Sequence, residues 1–275
     1  MKKLLTRALT GSIYVALIVG SLIIESPILF YAIFTTFIII GIWEFETLTS
    51  KDNNVTTLIK SLDIIGGTIL FYSFALVANY PEIGLKAAIP YLIYIVIRNI
   101  AQLYIKSENI LNSWAFSFMS QIFVALPLSL INLIYTYANP QMLLAIFIFI
   151  WLNDTGAYCV GSLIGKHRLF ERISPKKSWE GFWGGLGLCI VASCAIHTWC
   201  NDFFNGPGIY EWIAFGILVS IFSTFGDLCE SLIKRSLGVK DSGNILPGHG
   251  GILDRIDSLL LVIPVALIFL LCINK

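Results

Sequence analysis

Nine apolar runs, joined by short polar connections, take up most of the 275 residues. They lie near residues 9–24, 28–43, 62–79, 86–105, 114–135, 142–165, 181–199, 211–226 and 258–273. Most approach the ~20 residues that a helix needs to cross the hydrocarbon of a bilayer. In that medium every backbone N–H and C=O must be paired within the protein, so runs of this length become helices. Composition removes the soluble alternative: 57% of residues are hydrophobic and only 13% charged. The expected fold is therefore all-α, a polytopic integral membrane protein of about nine transmembrane helices with a polar cavity facing the cytoplasm. It reads as one transmembrane domain, with 1–140 mainly scaffold and 141–275 carrying the catalytic helices and loops.

The first run follows a basic start, Lys2, Lys3 and Arg7, as a signal peptide would. No small-residue cleavage site follows, so it is expected to be a retained helix, short for a full crossing. Charge distribution gives an orientation. With the N-terminus in the cytoplasm, the cytoplasmic connections hold every Lys and Arg except Lys86, Arg98 and Lys275. That is the asymmetry of the positive-inside rule. Glu44, beside the interfacial Trp43, is expected to be solvated, and Arg98 to snorkel to the surface. Gln121 and Asn132 should bond between helices. The six cysteines include no C-x-x-C pair and read as free thiols.

Two polar stretches interrupt this pattern, and both fall on the same side in that orientation. The first begins inside the sixth run with Asn153, Asp154 and Tyr158. Asp154 stands on the order of 17 Å from the charged end of its helix, at ~1.5 Å per residue. A carboxylate at that depth is costly unless it meets a cavity, a metal or a cation. The basic loop 165–180 follows, where Ser174, Pro175, Lys176 and Lys177 form a polar clamp; docking on anionic lipid headgroups accounts for them equally well.

The second stretch runs from Gly226 to Ser258. Asp227, Ser231 and Lys234 share a helical face, as do Asp254 and Asp257 beyond a glycine-rich turn. Carboxylates without neighbouring His or Cys ligands favour magnesium, with Asp227 and Asp254 as leading ligands. Lys234, Arg235, Lys240 and Arg255 suit phosphate oxygens. Gly248, Gly250 and Gly251 around His249 would let backbone N–H groups approach a phosphate. Asp241, His249 and Glu230 are not ranked among these by spacing.

Residues 231–257, SLIKRSLGVKDSGNILPGHGGILDRID, resemble the signature of the phosphatidate cytidylyltransferases, the CDP-diacylglycerol synthases. NDTGAY (153–158), GKH (165–167) and SPKKSWEG (174–181) are similar to the family's other motifs, and Trp43-Glu44-Phe45 agrees more weakly. The resemblance implies transfer of CMP from CTP to phosphatidic acid for phospholipid synthesis, with magnesium and with potassium as a second cation. It implies Asp227 and Asp254 as metal ligands supported by Asp257, and Ser174, Pro175 and Lys176 at nucleotide or substrate phosphate. The expected setting is a bacterial inner membrane, with membrane lipid as surroundings, no nucleic acid, and a homodimer left open. The alternatives are a CTP-dependent polyprenol or phytol kinase, and a cation transporter using Asp154 and Asp227.

Overall fold

A computed structural model describes residues 2–49, 56–105, 109–245 and 250–273, with side chains from residue 10 onward. Among them are α1 (Lys2–Ile23), α2 (Pro27–Thr49), α3 (Thr57–Asn79), α4 (Ile89–Tyr104), α5 (Ile110–Ser120), α6 (Leu126–Leu133) and α7 (Pro140–Ile164). A hairpin follows, β1 (Arg168–Phe170) and β2 (Ser174–Ser178), then α8 (Trp179–Phe204), α9 (Ile209–Ser236) and α10 (Leu253–Ile273). Among the described residues eight helical segments are long and apolar enough to cross a membrane, and the part of α1 from Thr10 to Ile23 is apolar as well. The chain is an all-α integral membrane protein, as expected.

Side-chain caps set several helix starts. Thr56 accepts from Ile59 N, Asn109 from Asn112 N, and Asn139 from Met142 N with Pro140 opening the helix. Each meets a backbone donor that the first turn leaves unpaired. The fifth crossing, 110–138, is not uniform: Gln121–Ala125 and Ile134–Ala138 are π-helical turns flanking α6.

The chain divides into two compact units, residues 1–137 with 241–255, and 138–240 with 256–275. The first is built on α2, α3 and α6 around the rings of Phe30, Phe34, Phe71 and Tyr135. It also buries an ionic network. Arg98 does not snorkel: it is 0% exposed and its Nε lies 3.2 Å from Asp63 Oδ1. Ser117, Ser113 and Gln102 accept its remaining donors. Tyr94 donates to Asp63 Oδ1 at 2.8 Å, Ser117 Oγ donates to the other carboxylate oxygen of Asp63, and Ser120 donates to the neighbouring buried Glu46 at 3.0 Å. The side chain is long enough to reach either water or a partner; a carboxylate one helix away fixes the choice. Glu44 is likewise buried instead of solvated, because three donors of residues 242–253 meet its carboxylate. Gln121 and Asn132 reach the backbone oxygens of Asp63 and Phe71 on α3, the interhelical bonds expected of them.

In the second unit α7, α8 and α9 pack in sequence, with α10 beside α9. Phe149, Trp212 and Phe215 form its aromatic core. At the α7–α8 contact glycine faces glycine. A Cβ on Gly156 would lie 2.8 Å from Gly184 O, and one on Gly181 the same distance from Ala157 O. Close backbone approach of this kind is how membrane helices associate without a hydrophobic driving force.

Candidate active site

A cavity of about 580 Å³ opens in the second unit, within the range of small-molecule sites. Its wall is shared by α7, the hairpin, α8 and α9. From α7 come Asn153, Asp154 and Tyr158; from the hairpin, Arg168, Lys176 and Lys177; from α9, Thr224 and Asp227. Asp154, exposed on a long apolar helix, lines this space, the cavity its depth required. Asn153 is fixed by Ser220 Oγ, which donates to its Oδ1 at 2.7 Å, and by its own bond to Thr224 Oγ1 at 3.3 Å.

The hairpin was not legible in the basic loop. Residues 168–170 pair with 174–178, and Glu180 clasps the base. Its carboxylate accepts from Lys166 N at 3.1 Å and His167 N at 3.2 Å, and meets His167 Nδ1 at 2.6 Å. Ser178 then caps α8 at Gly181 N. These bonds hold the Ser174–Lys177 strand at a fixed place on the cavity rim. Lys177 Nζ lies 2.8 Å from Asp227 Oδ2, both partly exposed, and Ser231 Oγ donates to Asp227 Oδ1 at 3.1 Å.

The spacing of α9 puts Asp227, Ser231 and Lys234 on one face as expected. Lys234, however, is nearly buried in an ion pair with Glu230. Arg235 directs Nε to Ile173 O at 3.3 Å and Nη1 to Val239 O at 2.8 Å. Lys240 is exposed. Where α9 meets α10, a Cβ on Gly226 would come 2.9 Å from Asp257 O. That approach brings Asp257 within electrostatic reach of Asp227, Glu230 and Asp154. Among the described residues no three His, Cys, Asp or Glu side chains form a group that could hold a metal ion.

The rest of the signature, 241–255, belongs to the first unit. Asp254 Oδ2 accepts from Ser242 N at 2.9 Å and from Gly251 N at 2.8 Å. Gly251 N, expected to approach a phosphate, is therefore engaged by an aspartate. Gly250 has φ +80°, a conformation that glycine adopts without strain. Asp241 and Arg255 are exposed, while Gly248 and His249 lie outside the described residues. Glu44, Asp63 and Glu180 were not singled out as site or network residues by the sequence, since each draws its meaning from partners that spacing does not reveal.

The protein is an all-α membrane protein whose cavity mixes lysine, arginine and carboxylate side chains on one wall. The cytidylyltransferase family model matches residues 5–273, and the chain belongs to that family. It is 43% identical over 171 residues to the phosphatidate cytidylyltransferase of Staphylococcus haemolyticus. Against those of Staphylococcus epidermidis and Staphylococcus aureus it is 40% and 39% identical. Each match takes in 60% of this chain and 65% of the relative, so just under two thirds of their length is covered.

Proposed function

We propose that the protein transfers CMP from CTP to phosphatidic acid, releasing pyrophosphate and forming CDP-diacylglycerol. The observation that carries this is the cavity where Lys177 meets Asp227 at 2.8 Å, with Lys176, Arg168 and Asp154 on the same wall. Cations there suit a triphosphate, and the carboxylates suit the cation that accompanies it.

The chemistry asks for little acid–base help. The attacking oxygen belongs to a phosphate monoester, whose second pKa of roughly 6 resembles that of phosphoserine. It is already anionic near neutral pH. A bond forms from that oxygen to the α-phosphorus of CTP, and the bond from α-phosphorus to the bridging oxygen breaks, with pyrophosphate leaving. The obstacle is bringing two polyanions together, which fixed positive groups remove by neutralisation and alignment. Lys176, Lys177 and Arg168 would do so at the cavity, and Glu180 keeps their hairpin in place. Asn153 and Tyr158 would line the nucleotide's path, and Ser174 and Pro175 belong to the same rim. Lys240 and Arg255, both exposed, remain candidates for phosphate contact.

Magnesium suits the donors present, because it needs only one or two carboxylates and takes substrate phosphates and water as its other ligands. Asp227, with Asp257 nearby, would hold it, and the resemblance adds Asp254; potassium remains a second candidate ion. When bound, the metal supplies charge neutralisation at phosphate oxygens. The asymmetry of Lys and Arg supports a cytoplasmic N-terminus and site in a bacterial inner membrane.

The test is the fate of CTP. Purified protein given CTP and phosphatidic acid should release pyrophosphate and form CDP-diacylglycerol. Release of CDP would instead mean γ-phosphoryl transfer to an alcohol, and cation flux in liposomes without CTP would mean transport.

A further inference from the structure

The first turn of a helix carries unpaired N–H groups and partial positive charge, and an anion is its usual occupant. α10 starts at Leu253, directly after the signature loop, where a substrate phosphate would be one candidate. The chain fills the place with its own carboxylate. Glu44, from the C-terminal part of α2, is 3% exposed. Its Oε1 accepts from Ile252 N at 3.1 Å, and its Oε2 accepts from Leu253 N at 2.9 Å and Ser242 Oγ at 3.1 Å. Two glycines make room for it: a Cβ on Gly243 would lie 2.5 Å from Glu44 Oε1, and one on Gly251 2.3 Å from Oε2. Asp254 grips the same loop through the amides of Ser242 and Gly251. Ser242 is thus held twice, its hydroxyl by Glu44 and its amide by Asp254.

We propose that Glu44 is a positioning residue for CMP transfer: it locks the signature loop to α2 and the first turn of α10, fixing where Asp254 and Arg255 stand. This rests on the activity proposed above. A corollary is that the amides of 242, 251, 252 and 253 serve internal carboxylates, so phosphate recognition falls to lysine and arginine side chains. Glutamate is required over glutamine because three donors converge on it. An amide keeps one oxygen, and its NH₂ would oppose at least one of those N–H or O–H groups.

The experiment compares wild type, Glu44→Gln, Ser242→Ala and the double variant in pyrophosphate release. Glu44→Gln should lower kcat on the order of 100-fold, the cost of small misplacement of reacting groups, with KM for CTP changing about two-fold or less. The double variant should be little worse than Glu44→Gln alone, since both changes release the same clamp. Deuterium uptake at the backbone of 242–245 and 250–253 should quicken in Glu44→Gln, while uptake in α7 and α8 stays unchanged. Wild-type kcat in Glu44→Gln, or a loss matched by uniform loosening of every helix, overturns the role. Wild-type protein that releases no pyrophosphate removes the reaction itself, and this role with it; an active wild type beside an unaffected variant overturns the role alone.

Discussion

Arg98→Ala separates three accounts of one residue. Arg98 and Asp63 are each 0% exposed, their closest atoms 3.2 Å apart, and Ser117, Ser113 and Gln102 accept the other guanidinium donors. Removing one member of such a pair strands the other charge away from water, which costs about 3–5 kcal/mol. Asp63 keeps the hydroxyls of Tyr94 and Ser117, so the lower half of that range is expected. At roughly 2–4 °C per kcal/mol for chains of comparable size, the melting temperature should fall on the order of 10 °C. Thermal unfolding in lipid nanodiscs, followed by tryptophan fluorescence, reads this directly. Asp63→Leu combined with Arg98→Met should recover at least half of the loss, because an apolar pair has no charge to strand. A snorkelling arginine predicts a shift of a degree or two, and a substrate-phosphate contact predicts lost turnover at unchanged stability. Arg98→Ala melting within about 2 °C of wild type would refute the buried-pair reasoning.

Lys177→Met should reduce kcat/KM about 100-fold, the scale of losing one preorganised positive contact; near-normal turnover would return the hairpin to a lipid-docking role. Asp254→Asn should abolish pyrophosphate release, and activity in a folded variant would remove it from the metal assignment. Gly226→Ala forces a methyl within 2.9 Å of α10 backbone, so it should cost about 1–3 kcal/mol and reduce turnover by shifting Asp257. Unfolding and rate measurements that match wild type would show that the two helices can part without consequence. Cys200→Ser should leave both rate and stability unchanged, since the thiol is free and exposed.

The spans were legible because length and apolarity are local properties, and a bilayer leaves few options for such runs. Asp154 was legible for the same reason: a carboxylate far from a helix end has to face something polar. What stayed hidden were pairings across the chain. Glu44 reads as a solvated span end until the backbone of 252 and 253, some two hundred positions later, is known to meet it. Arg98 has the reach for water or for Asp63, and only the packing of α3 against α4 decides. The hairpin is hidden in the sequence because its strands are short and its composition is that of a basic loop; the Glu180 clasp becomes visible only once 166–167 and 180 are side by side. Lys234 and Arg235 show the reverse effect, where the face was right but Glu230 and two carbonyls already occupy the groups.

The glycine seam between α7 and α8 also bounds how this protein can be hardened. Exchanging helical glycine for alanine is a common route to thermostability, worth up to ~1 kcal/mol each where space allows. Gly20 and Gly187 have nothing within 4 Å of an added methyl and admit the exchange. Gly156, Gly181, Gly184 and Gly185 do not, because the methyl would fall 2.5 to 2.8 Å from the neighbouring helix. A sturdier variant is therefore reached at open positions such as Gly20 and Gly187, with the α7–α8 seam left as it is.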